Sequence, residues 1–286
     1  MRTKDNLLIA SSVATLSNKN SASVLIISLL VSILSAYCAL SGFLDENLYG
    51  SVISTGIFKI PFMAGTISQD IVSIVSSVLM LTLIVLYIKH KDFRIMISII
   101  GLLSFYFYGY GTYVISALYT SVYLIYMLIF TLSILGLILG ISGFKGNSVN
   151  TLYLPNRIRI CGISFLSVII LIFMSKWITD LIPYTLSHTV PDFYAIYILD
   201  LCIILPLFIV IIYMLVRNMK LASILLGIAL LKTSTLILSV TIGSFIASKY
   251  GTQDKASMII IYCLITMISF VLFLFYCLKI KVKDEI

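Results

Sequence analysis

From Ile95 to Phe144 the chain runs without a single charged side chain, in a stretch dense in Ile, Leu, Tyr and Phe. At about 1.5 Å per residue a continuous helix over that run would be ~75 Å long, more than twice a ~30 Å hydrocarbon core. The stretch must therefore fold back on itself, and the small polar residues from Ser116 to Ser121 are the place for the turn. Similar runs recur along the chain, and windows of about 20 residues give eight spans, at 22–42, 70–88, 95–115, 120–143, 158–176, 193–216, 221–248 and 258–278. Only 10% of the 286 residues are charged and 61% are hydrophobic. These features predict an all-α, polytopic transmembrane helix bundle, with residues 1–286 forming one integral membrane domain.

Lys and Arg fall into alternate connections. Fourteen of the nineteen lie on the side of the termini, in clusters such as Lys89, Lys91 and Arg94 or Arg217 and Lys220. Lys59, Lys176, Lys249 and Lys255 lie on the other side, and Lys232 falls inside the seventh span. The positive-inside rule then predicts both termini in the cytoplasm. A net charge of +8 distributed in this way points to anionic lipid rather than nucleic acid, for which no basic soluble domain is present.

Cys38, Cys161, Cys202, Cys263 and Cys277 show no paired spacing and read as packing residues. His90 and His188 belong on opposite sides of the membrane, which argues against a histidine metal site or a histidine-dependent hydrolase. No cofactor or metal is implied. The connections at 43–69 and 177–192 are too short for independent cores. LYGSVISTGIFKIPFMAG in the first suits a segment lying on or dipping into the outer interface, and WITDLIPYTLSHTVPD in the second an interfacial lid; for both, an ordinary connection lying on the bundle is the competing reading.

Charge inside the spans carries the functional signal. Asp200 lies about seven residues into the sixth span and Lys232 near the middle of the seventh. Each is costly alone, by ~2.5–3.5 kcal/mol on insertion scales, so each should face the bundle or a wet cavity. They are expected to meet directly or through a water, although side chains on antiparallel helices lean apart. Pro206 should kink the sixth span and free the carbonyl of Cys202 as another partner for Lys232. A charge pair that merely locks two helices is the competing account.

Asp70 opens the second span in SQDIVSIV much as Asp200 opens the sixth in YILDLCII. The spacing from Arg94 to Tyr106 equals that from Lys220 to Lys232, with Gly101 and Gly227 at corresponding places. A parallel four-plus-four repeat would account for both echoes. Tyr106, Tyr110 and Tyr113, and again Tyr119, Tyr123 and Tyr126, recur at i, i+4, i+7. Tyr113 and Tyr119 suit an interfacial belt, whereas the deeper Tyr106 and Tyr126 need hydroxyl partners. Gly136 and Gly140 suit a close helix contact.

Taken together, the blocks QD, FYFYGYGTY, VYLIYMLIFTLSIL, YILDLCIILPL and ALLKTSTLILSV resemble a family of multi-pass prokaryotic membrane proteins with no assigned activity. The likeness runs from Gln69 to Ser239, against family blocks that read GQD, YNY, FLLY, YVLDL..LP and LLVK. Asp70, Tyr110, Tyr126, Asp200, Pro206 and Lys232 match position by position. Ser68 stands where the family has Gly and Gly109 where it has Asn, and the turn RNMK is less basic than usual. The resemblance implies topology and candidate residues, but no reaction.

The expected function is binding or transport of a small molecule, lipid or ion in an outward-facing polar pocket lined by Asp70, Tyr106, Tyr110, Tyr126, Asp200 and Lys232. An assembly factor is the first alternative. An enzyme acting on a lipid-like substrate comes last, since nucleophile elbow, metal cluster and His dyad are all missing from the sequence.

Overall fold

The structure, a computed structural model, describes residues 18–45, 47–53, 62–144, 152–251 and 256–282. The helices are α1 (Asn18–Leu44), α2 (Asn47–Ile53), α3 (Phe62–His90), α4 (Phe93–Ile115), α5 (Tyr123–Gly143) and α6 (Asn156–Ser187). They continue with α7 (Tyr194–Leu199), α8 (Leu205–Val216), α9 (Lys220–Ile246) and α10 (Ala256–Lys279), and a π-helical turn at Asp200–Ile204 joins α7 to α8 in one interrupted span. Among the described residues, eight helices are long and apolar enough to cross a membrane. The described chain begins and ends at one end of the bundle, where β1 (Leu152–Tyr153) and β2 (Lys281–Val282) pair antiparallel.

Helix orientation in such a bundle follows small and polar side chains, because lipid is as apolar as any core. On α1 the buried hydroxyls Ser21, Ser28, Ser32 and Ser35 recur at helical spacing, whereas Ile26, Leu30 and Ile33 point outward. Gly136 and Gly140 bring α5 against Leu103 and Ile100 of α4, as their spacing suggests. α4 and α9 are the central pair: 78% and 72% of their most apolar windows are buried, against 44% or less for every other span. Gly101 of α4 meets Leu231 of α9 at their crossing.

Around this pair the halves pack in the same order. In the first, α1 adjoins α3, α3 adjoins α4, α4 adjoins α5, and α5 returns to α1. In the second, α6 adjoins α8, α8 adjoins α9, α9 adjoins α10, and α10 returns to α6. Four spans per half leave both halves pointing the same way, the arrangement of a parallel four-plus-four repeat. The halves differ where they meet, since α3 packs closely along α9 whereas α7 touches α4 over a shorter length.

Two boundaries depart from the sequence expectation. α3 begins at Phe62, so Asp70 lies in its third turn rather than at its start. α6 runs on through Trp177 and Pro183 to Ser187, so most of the expected lid is helix. Hydropathy falls there because of Lys176, Trp177 and Asp180, but Lys176 and Asp180 pair one turn apart at 2.5 Å and cost the helix little. In the first connection α2 lies on the bundle, with Tyr49 and Val52 buried against it. Residues 54–61 of that connection lie outside the described residues. The turn between the third and fourth spans does fall at 116–122, with Ala117 in the left-handed region.

Candidate functional site

Between the halves, towards the end of the bundle opposite the described termini, lies a cavity of about 750 Å³. Its mouth is formed by Phe62 and Gly65 of α3, Thr112 and Ser116 at the end of α4, Pro183 and Tyr184 of α6, and Phe193 ahead of α7. Its depth is reached by Tyr108, Asp200, Phe208, Lys232 and Thr233. α3, α4 and α9 supply one wall and α6, α7 and α8 the other.

The interrupted span sets the position of Asp200. Pro206 has no N–H to donate, and just before it the helix widens so that Leu205 N–H reaches back five residues to the Asp200 carbonyl. A turn of this kind shifts the helical face by one residue, which brings Asp200, Ile204, Leu205 and Phe208 onto the cavity together. In place of the kink expected at Pro206, the structure has a π turn preceding the proline. The side chain of Cys202 points outward.

Asp200 is 8% exposed and accepts a hydrogen bond from the indole Nε1 of Trp177, at 2.8 Å. The Tyr108 hydroxyl also approaches this carboxylate. Trp177 is held by the edge of Tyr197, 5.2 Å between centroids, and by Phe173 at 5.9 Å. Lys232 is 3% exposed, and its Nζ stands 4.2 Å from the centroid of the Tyr108 ring and 5.9 Å from that of Phe208. A cation over a ring face gains electrostatic energy without a carboxylate. The described ion pairs are Arg94–Asp92 and Lys176–Asp180, so Asp200 and Lys232 face one cavity without a contact inside 4.0 Å. Tyr108 mediates instead, with its hydroxyl near the acid and its ring under the ammonium.

The remaining expected site residues lie in the first half, off this cavity. Asp70 is 2% exposed and accepts a hydrogen bond from the Tyr49 hydroxyl at 2.6 Å. Gly42 of α1 leaves room for that contact, since a Cβ there would collide with both partners. Tyr106 shares a hydrogen bond with Ser77 at 3.0 Å, and Tyr110 one with Ser35 at 2.9 Å. Among the described residues the buried Tyr126 hydroxyl has no partner within hydrogen-bond distance, and its ring packs on Tyr110 and Tyr113. Tyr113 is no belt residue: it is 6% exposed and donates to the Thr66 carbonyl at 3.1 Å, while Tyr119 is the exposed one.

The pocket expected to unite Asp70, Tyr106, Tyr110 and Tyr126 with Asp200 and Lys232 is therefore divided. Asp200 and Lys232 share the cavity, and the others form a buried cluster on α1 to α5 that adjoins the cavity through Tyr113. Physically, the face of α4 that carries Tyr106 and Tyr110 turns away from the face that carries Tyr108, and Tyr113 stands at the border, lining the cavity with Tyr108 and Thr112. Sequence reasoning missed Tyr108 and Trp177. Tyr108 falls between members of the i, i+4, i+7 series, although two faces on one helix were legible from that offset. Trp177 is the only tryptophan in the chain, and a buried indole N–H needs an acceptor. Gln69 of the QD block lines the cavity, with its amide packed against Gly109, where a side chain would displace it.

Comparison with protein families, with curated proteins and with solved structures finds no match to this chain.

Proposed function

We propose that this multi-pass membrane protein binds or transports a small molecule, lipid or ion through the cavity between its halves. In this reading the chain sits in a prokaryotic cytoplasmic membrane with both termini cytoplasmic and the cavity mouth outward, as the uneven distribution of flanking cations favours. One observation carries it: Asp200 and Lys232, opposite charges buried deep in an apolar bundle, line a single cavity without pairing to each other. A charge pair serving only to lock helices would form a direct contact in a dry interface. The size of the cavity is in the range of small-molecule sites, with apolar walls and a few convergent polar groups.

The assembly reading is favoured by a different place, Asp70, whose carboxyl is consumed by Tyr49 inside the first half. Lipidomic and metabolomic profiles of the detergent-purified protein and its Asp200→Asn variant test the two readings. A species retained by the wild type and depleted in the variant supports binding. Identical profiles from two equally well folded proteins leave the assembly reading in its place.

A further inference from the structure

Resting on that reading, we propose that the ligand of the cavity is zwitterionic: an ammonium held at Asp200, an anionic group held at Lys232, and an apolar remainder directed toward the mouth.

The argument is one of matched charge. An ionised Asp200 has about four acceptor positions, and one oxygen takes the Trp177 N–H. Lys232 carries three N–H donors, and the ring faces of Tyr108 and Phe208 steady its charge without offering strong acceptors. An anion drawn to Lys232 is repelled by Asp200, and a cation drawn to Asp200 is repelled by Lys232. A neutral apolar molecule desolvates both charges and returns nothing. A molecule with both signs, set head to tail against the two residues, satisfies each with a charge-assisted hydrogen bond. Trp177 and Tyr197 beside Asp200 add an aromatic wall that suits an ammonium, and not an anion. Toward the mouth Phe62, Pro183, Phe193 and Leu236 add apolar surface, among which Thr112, Ser116 and the mutually paired Lys176 and Asp180 are the polar exceptions.

Two sources share this chemistry, a phospholipid with an ammonium headgroup and a free amino acid with an apolar side chain. The full chain, purified in detergent, is mixed with dioleoyl phosphatidylethanolamine or dioleoyl phosphatidylglycerol and scored for retained lipid by native mass spectrometry. Equilibrium dialysis with labelled leucine runs in parallel. The expected result is retention of phosphatidylethanolamine or of leucine with at least about a tenfold preference over the anionic lipid, the equivalent of ~1.4 kcal/mol. Retention of the lipid alone identifies a headgroup site, and of leucine alone an amino-acid site. Asp200→Asn should erase the preference, Lys232→Met should abolish retention, and Lys232→Arg should restore it.

Equal retention of both lipids, or retention of neither probe, overturns the zwitterion. The cavity itself is tested separately with Gly65→Phe, because a Cβ at position 65 meets nothing within 4 Å and a ring there fills the mouth without disturbing the core. Loss of retention in that variant supports the site. Undiminished retention shows that the bound molecule lies elsewhere, and then the binding function proposed for the cavity fails with it.

Discussion

Tyr49 and Trp177 each give a hydrogen bond to an acid about twenty residues further along the chain, and the two contacts should differ in strength because their surroundings differ. The Tyr49 contact with Asp70 is buried on all sides. Tyr49→Phe removes the closer hydroxyl from a buried carboxyl and leaves only that of Tyr113 beside it, a loss of about 1–3 kcal/mol that thermal unfolding in detergent would read. Trp177→Phe removes the donor to Asp200 beside an open cavity, where water replaces it, so a loss of ~1 kcal/mol or less is expected. Equal losses would show that the cavity is as dry as the tyrosine cluster. Lys232→Met removes a buried cation that no carboxylate among the described residues touches, and it should leave stability unchanged or raise it by on the order of 1 kcal/mol while ligand retention is lost. A fall of more than ~2 kcal/mol would mark Lys232 as a structural residue. At this scale the sequence revealed charge and concealed aromatics. Asp200 and Lys232 stand out because hydrocarbon makes any charge anomalous, whereas Tyr108 is one of 18 tyrosines and its face is fixed only by which helix packs there.

Among the elements, the π turn has the sharpest consequence. Its extra residue sets the face on which Asp200 lies, so deleting Leu201 should restore plain α geometry and rotate Asp200 by about 100° away from Trp177 and Lys232. The expected outcome is a folded protein that has lost ligand retention to the same extent as Asp200→Asn. Retention unchanged by the deletion would show that the turn only accommodates Pro206. Spans of ordinary length were legible to within a few residues, because apolar length against bilayer thickness is a strong constraint. Both long helices escaped it. α6 outruns its hydropathy window at Lys176, whose charge is answered one turn later by Asp180, and α3 starts eight residues before Asp70. Helix continues wherever backbone hydrogen bonding continues, and mean hydropathy does not register that.

For the whole molecule, orientation is the outstanding measurement. On a cysteine-free background, Ser187→Cys should react with an impermeant maleimide added to intact cells, and Asn218→Cys, at the opposite end of the bundle, should react only after lysis. The reverse pattern would invert the proposed orientation and turn the cavity mouth to the cytoplasm. The shared packing order of the halves was foreshadowed by the matched spacings around Gly101 and Gly227, but the unequal fate of their acids was not. That difference arises from Tyr49 on α2, a contact made across 21 residues that no local pattern encodes. The second half holds the other aromatic donor, and it is the only indole in the protein. Emission excited at 295 nm therefore comes almost entirely from one wall of the cavity, next to the carboxylate. This chain carries a built-in optical probe, and its spectrum should move when the cavity fills, with no label attached.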